Sequence, residues 1–263
     1  MARIFITGST DGLGLMAAQL LSDQGHTVAL HARNEARARD AHAVLPDNAG
    51  VDVGDLSSIS QTREIAAQVN DIGPFDAVIH NAGIGYYGRS RVETEDGLSD
   101  VFAVNVLAPY LLTALVTPPE RLIYLSSGMH HSGDTTLRDP QWTRRPWQGS
   151  QAYSESKLYL TALAMAVARR WPNSLSNAVD PGWVPTKMGG SSATDDLQAA
   201  PVTQAWLAAG DDSAARVTGS YFHHQQPRTP PPRDPVARAA GPAPGVLRRP
   251  HQGAHPGRLN AEP

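Results

Sequence analysis

Short apolar runs alternate with longer stretches of helical periodicity along most of the chain. The apolar runs predict strands at residues 4–6, 27–30, 77–79, 122–125, 175–179 and 219–222. Helical periodicity lies between them, at residues 13–24, 58–69 and 153–170. Strands that alternate with helices are typical of a parallel sheet, because parallel neighbours need a long crossover connection. The pattern therefore predicts an α/β fold with a mostly parallel sheet and helices on both faces.

The character of the chain changes after Phe222. No aromatic residue follows it, and proline, arginine, glycine, alanine and histidine dominate without any periodicity. Such a composition buries little apolar surface. We therefore predict a folded domain over residues 1–225 and a disordered or loosely packed tail over residues 226–263. Two origins for the tail stay open, a native flexible segment and the product of a shifted reading frame in a GC-rich gene.

The overall composition excludes several classes of site. The chain has 263 residues, a formal net charge of -3 and no cysteine. Nothing global points to nucleic acid, and disulfides, thiolate metal sites and cysteine nucleophiles are excluded. No apolar run approaches the roughly 20 residues that span a bilayer, so we expect a cytoplasmic protein without a membrane span. No metal site is predicted, because the adjacent pairs His130-His131 and His223-His224 offer too few ligands.

A glycine-rich segment lies between the first predicted strand and the first predicted helix. Residues 7–14 are Thr-Gly-Ser-Thr-Asp-Gly-Leu-Gly. The glycines let the chain turn sharply and approach a ligand closely, and the helix N-terminus offers N–H groups and a positive dipole end to a pyrophosphate. The spacing differs from the general GxGxxG fingerprint. By itself the segment is also compatible with a purely structural turn, so its position at the first strand-to-helix connection carries the dinucleotide prediction.

The residues after the second predicted strand bear on the type of cofactor. An acidic residue there would bind the ribose 2′-hydroxyl of NAD, but the chain has His31-Ala32-Arg33-Asn34. The planar guanidinium of Arg33 suits a 2′-phosphate. We therefore predict NADP(H) in preference to NAD(H). An ordinary surface role for Arg33 is the alternative, since Arg37 and Arg39 lie close by in the sequence.

A tyrosine and a lysine stand four residues apart at the start of a long predicted helix. Tyr153 and Lys157 therefore share one helix face. A free tyrosine has a pKa near 10, and a neighbouring ammonium group favours the phenolate. Such a tyrosine can exchange a proton near neutral pH. A Tyr-x-x-x-Lys pair is common by chance, so alone it does not distinguish a catalytic pair from a solvated helix face.

Further short motifs occur in the order typical of the short-chain dehydrogenase/reductase family. They are Asp55-Leu56, Asn81-Ala82-Gly83, Asn105, Ser126-Ser127 and Pro181-Gly182. With the glycine turn and the tyrosine–lysine pair, the chain resembles the compact branch of this family over residues 4–222. Ser-Ser-x-x-His-His at residues 126–131 is similar to the retinol-dehydrogenase-like group. The resemblance implies a single-domain Rossmann-type doubly wound fold with a seven-stranded sheet. It also implies an NADP(H)-dependent oxidoreductase that transfers a hydride between nicotinamide and a carbonyl or alcohol substrate.

The resemblance also assigns roles to single residues. Tyr153 would be the general acid in reduction and the base in oxidation, and Lys157 would lower its pKa and bind the nicotinamide ribose. Ser127 would hold the substrate oxygen, with Ser126 as the neighbouring candidate. Asn105 would anchor a water that relays protons to Lys157. The residues expected to contact the cofactor are Gly8, Ser9, Thr10, Gly12, Leu13, Gly14, Arg33, Asp55, Leu56, Asn81, Ala82, Gly83, Tyr153, Lys157, Pro181, Gly182, Val184 and Thr186.

The partners that the sequence implies are a small-molecule substrate and, from the resemblance, a second copy or three further copies of the chain. Residues 128–150 are expected near the substrate mouth, where Arg144 and Arg145 could meet an acidic substrate; a surface loop with buried tryptophans is the alternative. A second function stays open, a catalytically weak or inactive NADP(H)-binding sensor or partner module. The presence of Asn105, Ser127, Tyr153 and Lys157 together favours the enzyme.

Overall fold

The computed structural model describes residues 1–85 and 88–228 of the chain. Its strands are β1 Arg3–Ile6, β2 Thr27–Ala32, β3 Val51–Val53, β4 Ala77–His80, β5 Arg121–Leu125, β6 Leu175–Asp180, β7 Tyr221–His223 and β8 Gln226–Arg228. They form one sheet in the order β3-β2-β1-β4-β5-β6-β7-β8. The pairs from β3 to β7 are parallel, and only the pair of β7 with β8 is antiparallel among the described strands. This confirms the predicted mostly parallel α/β sheet.

Helices cover both faces of the sheet. They are α1 Gly12–Asp23, α2 Glu35–Val44, α3 Ile59–Ile72, α4 Asp100–Phe102, α5 Ala108–Leu115, α6 Gly149–Arg170 and α7 Val202–Ala209, with a π-helical turn at Ala103–Leu107 and a 3₁₀ turn at Gly128–Ser132. Successive side chains of a strand point to opposite faces. Ile4 and Ile6 accordingly pack with α1, α2 and α7, whereas Phe5 packs with α3, α5 and α6. None of these helices in the described ranges is long and apolar enough to cross a membrane.

The expected strand number of seven was wrong, because the described part of the chain forms eight strands. β8 pairs with β7 through the two-residue turn His224-Gln225, in which both residues have positive φ, 46° and 59°. Two left-handed residues form the tight turn whose twist matches a hairpin. Asn-Gly or Asp-Gly usually signals such a turn, and this chain has neither there. β8 begins the segment predicted as a tail; residues 229–263 of that segment lie outside the described residues.

The order of the strands positions the site. β2 and β3, the next strands in the chain, lie on one side of β1 in the sheet, and β4 lies on its other side. Connections therefore leave the carboxyl ends of β1 and β4 in opposite directions and open a crevice between them. In open α/β sheets ligands bind at this reversal point. The glycine segment follows β1 and Asn81-Ala82-Gly83 follows β4, so both motifs meet at the crevice.

Candidate active site

The glycine turn after β1 is held by a buried histidine that the sequence prediction did not include. The backbone N–H of Gly8 donates to Nδ1 of His31 at 2.9 Å, and Nε2 of the same ring lies 2.9 Å from the carbonyl oxygen of Gly54. Because Nδ1 accepts, Nε2 carries the proton and donates. Burial lowers the pKa of His31 to about 4, so the ring is neutral at physiological pH. His31 thus ties together the ends of β1, β2 and β3.

Two of the three glycines in the turn have different tasks. A Cβ on Gly14 would lie 2.3 Å from Nδ2 of Asn81 and 2.4 Å from the carbonyl oxygen of Gly8, so this position has no room for a side chain. Asn81 uses the same Nδ2 to donate to the carbonyls of Thr7 and Gly8 at 2.9 and 3.0 Å. Gly12 has φ +52°, and a Cβ there would have nothing within 4 Å. Gly12 therefore faces open space at the N-terminus of α1, where an anion is favoured.

Tyr153 and Lys157 lie in the first turns of α6, and the structure brings their side chains together. Nζ of Lys157 lies 5.5 Å from the centroid of the Tyr153 ring and donates to the carbonyl oxygen of Leu125 at 2.7 Å. Both residues are buried, at 6% and 3% exposure. Burial lowers the pKa of Lys157 to about 8, although the carboxylate of Asp180 acts in the opposite direction. The ammonium group is thus fixed beside the phenol at the inner end of a cleft.

Asn105 is fully buried in the π-helical turn, which is a helix distortion often found at functional sites. Its Oδ1 accepts from the backbone N–H of Ile84 at 2.9 Å, and its Nδ2 donates to the Ile84 carbonyl and to Oγ of Ser156. A Cβ on Gly83 would lie 3.2 Å from Nζ of Lys157 and 3.4 Å from Oδ1 of Asn105. Both side chains therefore face the same small space at Gly83.

The two adjacent serines after β5 differ in burial and in their hydrogen-bond partners. Ser126 is buried, and its hydroxyl bonds to Oγ1 of Thr161 at 2.7 Å and to the carbonyl of Lys157 at 3.2 Å. Ser127 is only half-buried and accepts from the backbone N–H of Met129 at 3.2 Å. Because a hydroxyl that accepts one hydrogen bond still has a proton to donate, Ser127 is the serine whose hydroxyl proton is available to a ligand. This supports the preference for Ser127 over Ser126.

Two adjoining cavities meet at Tyr153. The first, the cofactor cleft, has a volume of about 460 Å³ and extends from the glycine turn to Lys157. The second, the substrate pocket, has a volume of about 470 Å³ and lies on the Ser127 side. Predicted residues lining the cleft are Gly8, Gly12, Leu13, Asn81, Gly83, Tyr153, Lys157, Pro181 and Thr186. Ser127, Gly182 and Val184 line the substrate pocket, as do Leu13, Tyr153, Pro181 and Thr186.

Other predicted cofactor residues line neither cavity. Ser9 is buried and its hydroxyl bonds to the carbonyl of Ile6 and the N–H of His31, so its side chain stabilises the turn. Leu56 is buried in the hydrophobic core, and the carboxylate of Asp55 accepts from the N–H of Ser57 at 2.8 Å. The remaining predicted residues outside the lining of both cavities are Thr10, Gly14, Arg33, Ala82 and Asn105.

Two charged residues, Asp11 and Lys187, line the cleft beside the glycine turn, and two arginines lie on the segment after β2. Arg33 is exposed between the end of β2 and Asn34, the residue that caps α2. Nη1 of Arg37, one turn further along, lies 3.6 Å from Oδ2 of Asp11. Asp11 also pairs with Lys187 from the loop after β6, and this hydrogen bond is the main reason why the pKa of Asp11 is lowered. The sequence analysis missed this cross-cleft pair because 176 residues separate its members.

The segment before α6 is attached to the side of that helix. The guanidinium of Arg145 pairs with the buried carboxylate of Glu155 and lies 3.6 Å from the centroid of Trp142. The indole N–H of Trp142 also donates to Glu155, at 3.1 Å. Trp142 and Arg145 do not line the substrate pocket. Trp142 and Arg145 therefore fit the second of the two expectations for residues 128–150, a surface loop with buried tryptophans. Arg145 is engaged by Glu155 and is not available to an acidic substrate.

Comparison with known proteins decides the family. The family model for the short chain dehydrogenases matches residues 2–197. The chain belongs to the short-chain dehydrogenase family. Among its relatives is an uncharacterized oxidoreductase from Emericella nidulans, 46% identical, with 88% of this chain and 90% of that protein covered. Human retinol dehydrogenase 13 is 30% identical over 87% of this chain and 78% of its own length.

A solved structure of the same family resembles this chain and contains a cofactor. It is a protein from Shigella flexneri assigned to the short-chain dehydrogenases and complexed with NADP, with a TM-score of 0.65, 25% identity and coverage of 86% of this chain and 97% of that one. Short-chain dehydrogenases are oxidoreductases that bind a nicotinamide cofactor. The residues of the present chain fit a nicotinamide cofactor. The open space at Gly12 and the N-terminus of α1 suit its pyrophosphate, and the cleft continues from there to Lys157.

Proposed function

We propose that this chain is an NADP(H)-dependent enzyme that interconverts a carbonyl compound and an alcohol. The observation that carries the proposal is the position of Tyr153, which lines both the cofactor cleft and the substrate pocket. A phenol at this junction can exchange a proton with an oxygen in the pocket while a nicotinamide in the cleft is next to the same substrate. When bound, the nicotinamide supplies or accepts the hydride.

The proton chemistry is proposed for Tyr153 with support from two neighbours. In reduction its hydroxyl donates a proton to the substrate oxygen, and in oxidation the phenolate accepts one. The ammonium group of Lys157, 5.5 Å from the ring centroid, favours the phenolate that reduction leaves behind. The Ser127 hydroxyl accepts from the N–H of Met129 and keeps its own proton to donate to the same substrate oxygen. Two donors on one oxygen stabilise the charge that develops there.

A route for restoring the proton is proposed at Asn105. Its amide is fixed on both sides by the backbone of Ile84, so Oδ1 holds a constant position opposite Nζ of Lys157 across the space at Gly83. A water in that space can accept a hydrogen bond from Lys157 and donate one to Asn105. Asn105 is therefore proposed as a positioning residue that keeps the water in place, while Lys157 is the group that exchanges the proton.

The preference for NADP(H) is proposed from the positively charged side chains that follow β2. Arg33 and Arg37 are four residues apart, and no acidic residue follows β2 at the position that would bind a 2′-hydroxyl. A guanidinium binds a phosphate through charge-assisted hydrogen bonds. The NADP complex of the Shigella flexneri relative supports the same choice. The homodimer or homotetramer and the cytoplasmic location stay predictions.

The test is a binding measurement followed by a turnover screen. NADPH fluorescence on mixing with the purified chain measures cofactor binding. Loss of NADPH absorbance with a panel of aldehydes and ketones then measures reduction, and the reverse reaction is assayed with NADP and secondary alcohols. We expect binding and turnover of at least one carbonyl class. NADPH binding without turnover of any panel member would favour the second candidate, a sensor or partner module.

A further inference from the structure

Among the described residues that line it, the substrate pocket has carboxylates and no lysine or arginine. Asp180, at the end of β6, and Asp195, in the following loop, line the pocket together with Ser127 and Tyr153. His223, at the end of β7, is the remaining titratable side chain in the lining besides Tyr153. A substrate that enters this pocket therefore meets negative charge next to the proposed catalytic pair.

The geometry of Asp180 leaves one of its oxygens on the pocket side. Oδ1 accepts from the backbone N–H of Gly182 at 3.0 Å, which stabilises the turn after β6. Oδ2 lies 3.6 Å from Nδ1 of His223, and a Cβ on Gly128 would lie 3.1 Å from it. Because residue 128 is glycine, this position places no Cβ against Oδ2. The side chain of Asp180 is 16% exposed, so its charge is only partly screened by water.

A second buried polar group lies beside Asp180. The hydroxyl of Tyr221 is buried and lies within hydrogen-bonding reach of the carboxylate of Asp180. Burial raises the pKa of Tyr221, and the charges of Asp180 and Tyr153 act on it in the same direction. Tyr221 is therefore close to both residues.

The rest of the pocket wall is largely apolar. Leu13, Met129, Val184 and Met188 line it, and Trp183, 47% exposed, also lies in the lining. Apolar walls with a few charged groups fix the orientation of a ligand by those charges. An aromatic face such as that of Trp183 also attracts cations. All of these features favour an apolar substrate body with a positively charged substituent.

We propose that Asp180 is a specificity-determining residue that selects carbonyl substrates carrying a protonated amine and rejects those carrying a carboxylate. This inference rests on the proposed function, since it assigns the substrate class of the same site. A like charge brought near Oδ2 would be repelled, whereas an ammonium group would be attracted and would donate a hydrogen bond to it.

The test compares three aldehydes that differ in one substituent. They are para-(dimethylaminomethyl)benzaldehyde, its neutral isostere para-isobutylbenzaldehyde, and para-formylphenylacetate. We expect the wild-type chain to reduce the cationic aldehyde with a kcat/KM about tenfold above that of the isostere, and the anionic one less well than the isostere. In Asp180→Asn, the ratio of cationic to neutral kcat/KM should fall to about one. The ratio is the readout because Asp180 also acts on Lys157 and the absolute rates of the variant will change.

Controls separate the possible results. Asn can still accept from Gly182, and Asp180→Ser is the second variant if Asp180→Asn does not fold. Asp196→Asn changes an exposed carboxylate of the same loop that does not line the pocket, and its ratio should equal that of the wild type. If a folded and active Asp180 variant keeps the wild-type ratio of cationic to neutral kcat/KM, the role of Asp180 is refuted while the proposed function still stands. NADPH binding by the wild type without reduction of any of the three aldehydes or of the wider panel would overturn the proposed function itself.

Discussion

Replacing His31 should change both the stability of the fold and the way that stability depends on pH. The ring accepts from the N–H of Gly8 and donates to the carbonyl of Gly54. His31→Leu leaves these two buried backbone groups without partners, at about 1–3 kcal/mol each. We therefore expect a loss of about 3 kcal/mol in the free energy of unfolding near neutral pH, together with weaker NADPH binding because the glycine turn is no longer held.

The dependence on pH follows from the pKa of His31. Burial lowers it to about 4 in the folded chain, against about 6.5 in the unfolded chain. The unfolded state therefore takes up the proton first, so the contribution of His31 is complete above about pH 6.5 and is lost as the pH falls towards about 4. At about 1.4 kcal/mol for each pH unit, the wild type loses about 2 kcal/mol of this contribution between about pH 7.5 and about pH 5. The Leu variant has no such loss.

The assay is urea unfolding followed by tryptophan fluorescence at both pH values. The stability difference between wild type and His31→Leu should shrink by about 2 kcal/mol on acidification. The pKa of His80 is also lowered by burial, to about 3, but this histidine is present in both proteins and cancels in the difference. A stability difference for His31→Leu that stays constant over this range would refute the reasoning.

Three further predictions concern the cleft. kcat/KM for carbonyl reduction should fall as the pH rises through about 8, the pKa to which burial lowers Lys157, and a pH–rate profile that stays flat to about pH 10 would contradict this role. Arg33→Ala should raise the KM for NADPH about 10- to 100-fold, because the charge-assisted hydrogen bonds to the 2′-phosphate are lost, and it should leave the KM for NADH unchanged. Arg39→Ala changes another exposed arginine six residues further along the sequence and is the control. Gly14→Ala should destabilise the chain by about 1–3 kcal/mol, since its Cβ would lie 2.3 Å from the nearest atom. Gly12→Ala, with open space around the Cβ, should cost only the backbone strain, about 1 kcal/mol in thermal or urea unfolding.

Local sequence patterns predicted the parts of the site that depend on short spacings. The glycine turn follows directly from the order of strand, glycines and helix, and the helical repeat alone places Tyr153 and Lys157 on one face. Both parts are contained within a few residues of the chain. The mostly parallel sheet was also predictable, because alternation of strands and helices leaves few other arrangements.

Contacts between distant segments could not be predicted in the same way. His31 reaches Gly8 only because β1 and β2 are neighbours in the sheet, and Asp11 pairs with Lys187 although 176 residues separate them in the sequence. A polar residue at the end of a strand was the available signal for His31. The eighth strand was missed because its turn, His224-Gln225, adopts the left-handed conformation without glycine or asparagine.

The most direct test of the central claim is the variant Tyr153→Phe, which removes one oxygen and keeps the ring. Cofactor binding, measured by NADPH fluorescence, should stay within about threefold of the wild type, whereas reduction of the best aldehyde should fall by a factor of about 100 to 10,000, the usual contribution of a positioned proton donor. Turnover equal to that of the wild type, with NADPH bound, would contradict the assignment of Tyr153 as the general acid and with it the proposed mechanism.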